Sequence, residues 1–143
     1  MEDPMTATQT AAFICYLISA LIAFSFSFIY LTRREFMPYH KDAIQREWHE
    51  IDREYQVLIL ALMRAAGGGW LAVGVGMVFI LGFPFRSQAT WAIVALPLLG
   101  LSAAGATLYA TLYVKNNTEA APPVLLVVVT VMLLAAGFVL SII

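Results

Sequence analysis

Charge is scarce in this chain: eight basic and nine acidic side chains among 143 residues, or 12%. A soluble domain carries about twice that share. Hydrophobic residues make up 62%, with a mean hydropathy of +0.84. That is more apolar material than a chain this short can enclose, because small folds leave much of their surface outward. A soluble enzyme, a nucleic-acid-binding domain and a disordered tail are excluded. The net charge of −1 gives no whole-chain attraction for a polyanion.

Cysteine is nearly absent too. Cys15 stands alone, so an intramolecular disulfide and the dithiol chemistry of four-helix quinone-linked thiol oxidants are both impossible. Inside an apolar run, Cys15 reads as a small packing residue rather than a reactive thiol. The long apolar stretches hold no carboxylate, which a small proton-coupled multidrug antiporter would need. They hold no histidine either, which a four-helix b-type cytochrome needs for haem. Gly-x-Ser-Gly, His-Glu-x-x-His and Gly-x-x-x-x-Gly-Lys are all missing. No cofactor and no metal are expected.

What is present is four charge-free stretches: residues 4–32, 65–85, 87–114 and 120–143. Each reaches the roughly 20 apolar residues that a helix needs to cross the hydrocarbon core. None alternates as a barrel strand would. The fold class expected is an all-α integral membrane protein, a four-transmembrane-helix bundle in one domain. Its spans fall near residues 10–31, 65–83, 91–113 and 123–143. The first is kept as a helix rather than a cleaved leader, since Glu2 and Asp3 stand where a leader is basic. The bilayer is the first expected partner, and nucleic acid is not one.

Basic residues favour the cytoplasmic side. Arg33, Arg34, Lys41, Arg46, Arg53 and Arg64 belong to the first connection and Lys115 to the third, against Arg86 alone in the second. Loops 1 and 3 are therefore expected in the cytoplasm and both termini outside. Tyr30, Trp70 and Tyr113 then mark the inner interface, and Phe83, Phe85 and Trp91 the outer one. Asn116-Asn117-Thr118 matches a glycosylation sequon but falls on the inner side, so it reads as coincidence.

Between Pro38 and Gly67 there is neither proline nor glycine. Ile44, Trp48, Ile51, Tyr55, Leu58 and Leu62 recur at alternating spacings of four and three, the seam of one helical face. A cytoplasmic amphipathic helix over 38–57, running into span two, is expected. Its seam of Ile44, Trp48, Ile51 and Tyr55 would face a partner or a second copy. The mixed charge around it argues against an anionic lipid surface as that partner. His40 and His49, nine residues apart, would point to opposite sides of such a helix. His40, Glu47 and Glu54 share a stripe, but successive members would lie about 10.5 Å apart, too far to bind one ion together.

Arg64 is the one charge between Val57 and Phe85. It reads as an interface marker that snorkels, or alternatively as an anion or substrate site. Gly67, Gly68 and Gly69 follow, and Gly68, Ala72 and Gly76 form a small-residue stripe for close helix approach. Gly100 and Ala104, with Ala103, Thr107 and Thr111, offer the same in span three. Close packing of spans two and three is expected, with a hinge at the glycine triplet as the alternative. Pro97 predicts a kink. Ser19, Ser25 and Ser27 can bond across helices or to their own carbonyls. Span four, almost wholly aliphatic, is expected to face lipid or form a dimer wall.

Three functions follow, in this order. The first is a non-catalytic assembly or accessory subunit, as a homo-oligomer or with another membrane protein. The second is a small channel or carrier, with Arg64, the Gly67 to Gly69 region and the hydroxyls of spans one and three lining a path. The third is a membrane-surface enzyme or ligand binder using His40, Glu47, Glu54 and Arg64.

Overall fold

A computed structural model describes residues 5–143; Glu2 and Asp3, on which the leader argument rests, lie outside it. Among the described residues every regular element is helical: α1 (Ala7–Thr32), α2 (Pro38–Ile44), a single 3₁₀ turn (Trp48–Glu50), α3 (Arg53–Ile80), α4 (Thr90–Asn117) and α5 (Val124–Ile142). Four of these helices are long and apolar enough to cross a membrane, α3 counting with the π-helical turn Leu81–Phe85 that extends it.

α1 begins at a capping box. The Gln9 amide donates to the Thr6 hydroxyl at 3.2 Å, and the Thr6 amide donates to the Gln9 side chain at 3.0 Å. Its inward face is Ala12, Tyr16, Ser19, Ala20, Ala23 and Ser27, mostly small residues with Tyr16 as the large one. Ser19 and Ser25 donate to the carbonyls of Cys15 and Leu21 on their own helix, not across helices.

The helix expected over 38–57 does not form as one piece. α2 ends at Gln45, whose φ of 54° is left-handed, and the chain passes through the 3₁₀ turn before α3 starts at Arg53. A tertiary contact accounts for the break. In a continuous helix Phe36 and Trp48 would stand about 18 Å apart. Here their rings meet edge to face at 5.0 Å, and Phe36 is buried. Local bonds support the reversal. The Gln45 side chain donates to the Asp42 carbonyl at 2.6 Å, and the Glu47 amide donates to the Glu50 carboxylate at 2.8 Å. Lys41 pairs with Glu47 at 2.6 Å across the turn. The seam is thereby divided: Ile44 lies in α2, Trp48 in the turn, Ile51 at its end and Tyr55 in the first turns of α3.

α3 starts twelve residues before the expected span at 65. The helical period that the sequence carries from Tyr55 to Leu62 simply continues into the apolar stretch, so residues 53–64 and the span form one rod of 33 residues. Pro84 sits within the terminal π-helical turn, and Gln88 takes the second left-handed conformation, φ 56°, before α4.

The bundle closes in the order α3, α1, α5, α4, with the seam between α4 and α3 the least extensive. Its contacts are large side chains set on glycines. An added Cβ would meet the Tyr16 ring at 3.1 Å on Gly137, the Phe24 ring at 3.1 Å on Gly74 and Leu134 at 2.5 Å on Gly100. On Gly67 it would meet the Tyr30 Cβ at 3.0 Å and the Leu31 backbone nitrogen at 3.2 Å. In an apolar surrounding such close fit, rather than release of water, holds helices together. Span two thus packs chiefly through Met63, Gly67, Gly74 and Met77, and the stripe of Gly68, Ala72 and Gly76 takes part only at Gly76. Gly68 and Gly69 have nothing within 4 Å of an added Cβ, and Ala72 is exposed. Gly76 alone of that stripe touches span three, meeting Leu99 at 3.0 Å. Gly100 faces α5 instead, while Ala104 is fully buried in the common core. α5 is not a spare wall: Val127, Thr130, Leu134, Gly137 and Ser141 form its buried face.

Candidate functional site

A groove opens between α3 and α4, where α1 ends and α5 begins. Two contiguous chambers fill it, of about 350 and 340 Å³. Both are in the size range of small-molecule sites. Tyr30, His40, Ala66 and Val114 line both and so mark the junction.

The first chamber lies between α2 and the early part of α3. Phe36, Ala43 and Ile44 form one wall; Ile59, Leu62 and Met63 form the other. Apart from the junction residues it is hydrocarbon and aromatic. The second lies deeper in the bundle. There Phe26 stacks on Trp70 at 5.7 Å, and α4 contributes Thr107 and Thr111 on the same face as Ala110. Both threonine hydroxyls are spent on their own helix, Thr107 on the Ala103 carbonyl at 3.0 Å and Thr111 on that of Thr107 at 2.9 Å. Pro122 and Pro123, which open α5, close the far side.

Polar chemistry is concentrated at the junction. Pro38 at the start of α2 turns Tyr39 and His40 onto the end of α1. The Tyr39 and Tyr30 hydroxyls are hydrogen-bonded to each other. Burial, reinforced by the neighbouring Tyr30 hydroxyl, holds the Tyr39 phenol well above its ordinary range, so it stays protonated. His40 is enclosed by the Tyr39 ring at 4.4 Å and the Phe36 ring at 6.3 Å. Burial first, and then the Arg33 guanidinium, lowers its pKa from 6.5. The Met37 amide donates to His40 Nδ1 at 3.3 Å, which assigns the proton of the neutral ring to Nε2. The junction therefore offers hydrogen-bond donors on an apolar floor.

Of the four candidates named from sequence, His40 alone lines this groove. Glu47 is taken up by Lys41, Glu54 lies exposed in the first turn of α3, and Arg64 is exposed and lines neither chamber. The stripe of His40, Glu47 and Glu54 does not exist once the helix breaks. Among the described residues no three His, Cys, Asp or Glu side chains gather as metal ligands. Sequence reading missed Tyr30, Tyr39 and Trp70 as site residues, while the span-three hydroxyls of the carrier reading, Thr107 and Thr111, do line the second chamber. Tyr39 beside His40 was a visible signal, but only the reversal after α1 gives that pair something to face. Comparison with family models, curated proteins and solved structures finds no match for this chain.

Proposed function

We propose that this is a non-catalytic, multi-pass membrane protein whose groove holds the apolar part of an amphiphilic molecule. The two contiguous chambers support this: the first is hydrocarbon and aromatic apart from Tyr30 and His40, and the second sets the hydroxyls of Tyr30, Tyr39, Thr107 and Thr111 among aromatic and aliphatic side chains. Among the described residues no aspartate or glutamate lines either chamber. With loops 1 and 3 in the cytoplasm and both termini outside, the groove opens at the level of the inner leaflet. Native mass spectrometry of the protein released from lipid nanodiscs tests the reading. Retained amphiphile is expected on the wild type and lost in Ala66→Phe, which puts a ring into both chambers. Equal retention by the two proteins overturns it.

A second reading, an accessory subunit or homo-oligomer, has its own support. α3 with its π-helical turn has 33 residues and so is about 50 Å long, against a hydrocarbon core of about 30 Å. Its early part carries Tyr55, Leu58 and Leu62 at 54 to 62% exposure, an apolar face suited to another helix. The same mass measurement registers a partner or second copy directly. Of the residues that the carrier reading named, Thr107 and Thr111 of span three line the second chamber, while Gly68 and Gly69 face open space and Arg64 lines neither chamber.

A further inference from the structure

The two chambers differ in the chemistry they offer, and neither offers a fixed charge. Lysine and arginine are as absent as the acids from the described residues that line them. The charged side chains of the first connection, Arg33, Glu35, Asp52 and Glu54 among them, are exposed and line neither chamber. A charged head drawn into this lining would give up water and find no counter-ion, which is a costly exchange. The head that fits is uncharged.

Hydrogen-bond capacity narrows it further. Thr107 and Thr111 have given their hydrogens to carbonyls of α4. The Met37 amide holds His40 Nδ1, so Nε2–H is the ring hydrogen left to give. Of the two hydroxyl hydrogens in the Tyr30 and Tyr39 pair, one is used between them and one is free. Trp70 adds an indole N–H, which can only donate. Hydrogens on offer call for acceptor oxygens, and uncharged groups that only accept are carbonyls. Shape completes the description. Phe26 and Trp70, both lining the second chamber, present near-parallel rings 24° apart, while Ala106 and Ala110 of α4 are small lining residues. Aromatic surfaces of this kind take another flat ring by offset stacking or edge contact. The ester carbonyls of a diacylglycerol would accept the same hydrogens, but they bring no ring.

Resting on the amphiphile reading above, we infer that the groove is a site for a lipid-soluble quinone, its ring in the second chamber with carbonyl oxygens toward Tyr39 and His40. Its hydrocarbon chain passes the junction into the first chamber, along Ile44, Ile59, Leu62 and Met63.

The test places the full chain in phosphatidylcholine nanodiscs doped with equal amounts of three probes: an alkylated naphthoquinone, the alkylated naphthalene with the same chain, and a diacylglycerol of different mass. Molecules retained after release into the mass spectrometer are counted. Wild type is expected to keep the quinone roughly 25-fold over the naphthalene, two hydrogen bonds at about fivefold each, and to keep it over the diacylglycerol as well. The double substitution Tyr30→Phe and Tyr39→Phe retains both rings and removes both hydroxyls. It is expected to lower the first ratio about fivefold while retention of the naphthalene persists. Ala66→Phe and, independently, Ala110→Phe, both at exposed positions, are expected to expel all three probes. Equal retention of quinone and naphthalene by wild type, a ratio unaltered in the double variant, or a preference for diacylglycerol overturns the quinone assignment alone. Retention unchanged in both of the alanine-to-phenylalanine variants overturns the groove as a binding site, and the amphiphile reading with it.

Discussion

At the residue scale, glycine position separates packing from mere composition. Gly100 and Gly137 receive Leu134 and Tyr16, both buried to within 1%. Gly100→Ala and Gly137→Ala are each expected to destabilise the fold by about 1–3 kcal/mol, the usual cost of overfilling a close contact. Gly68→Ala and Gly69→Ala, facing open space, should be neutral or stabilising by up to about 1 kcal/mol, because alanine is the better helix former. Thermal unfolding in detergent ranks the four, and similar losses at Gly68 and Gly100 would contradict this packing. His40 makes a prediction of a different kind. Its pKa lies below 6.5 in the fold, so the folded protein resists taking up a proton that the unfolded chain accepts. Its contribution to stability is whole above about pH 6.5 and declines as pH falls toward the folded-state value. An NMR titration of the imidazole should give a midpoint under that of free histidine, and His40→Gln should flatten the acid limb of the stability profile.

At the element scale, the break between α2 and α3 decides which residues meet. A left-handed residue other than glycine costs roughly 1–2 kcal/mol. Gln45→Gly should therefore leave α2 in place or stabilise it, while a β-branched Gln45→Val should loosen it. Hydrogen exchange over residues 38–44 reports the difference. Phe36→Ala removes the buried ring that meets Trp48. It is expected to raise exchange in the same segment and leave that of residues 10–31 unaltered. Faster exchange across all the helices would mean that α2 is integral to the bundle rather than a flap laid upon it. The sequence misled here for a physical reason. Spacings of four and three describe a helical face wherever they occur, and nothing local at Gln45 signals a stop. The stop is supplied from outside the segment, by a phenylalanine twelve residues before Trp48.

At the scale of the molecule, the order of helices sets where a ligand can lodge. α3 and α4, joined by a short turn, share the least extensive seam of the bundle, while α1 and α5 meet closely at Tyr16 and Gly137. The groove lies along that seam, with Tyr39, His40, Ala43 and Ile44 of α2 on one side. In a Cys15→Ser background, Gln88→Cys is expected to react with an impermeant maleimide from outside intact cells. Glu50→Cys should react only after permeabilisation, and the reverse pattern would place the groove at the outer leaflet.

The number of long apolar helices was legible because it depends on a one-dimensional property: about 20 residues without charge are what hydrocarbon demands, and the chain has four such stretches. The continuity of helix from Tyr55 into the second stretch could likewise be read from its period. Which glycines carry neighbours could not, since Gly67 and Gly68 are chemically the same and differ only in the side of the helix that α1 covers. Nor could the groove, whose walls come from four helices, and whose junction joins Tyr30 of α1 to His40 of α2, Ala66 of α3 and Val114 of α4. Solvent preference is written along the chain; contact between distant residues exists only once the helices have chosen their neighbours.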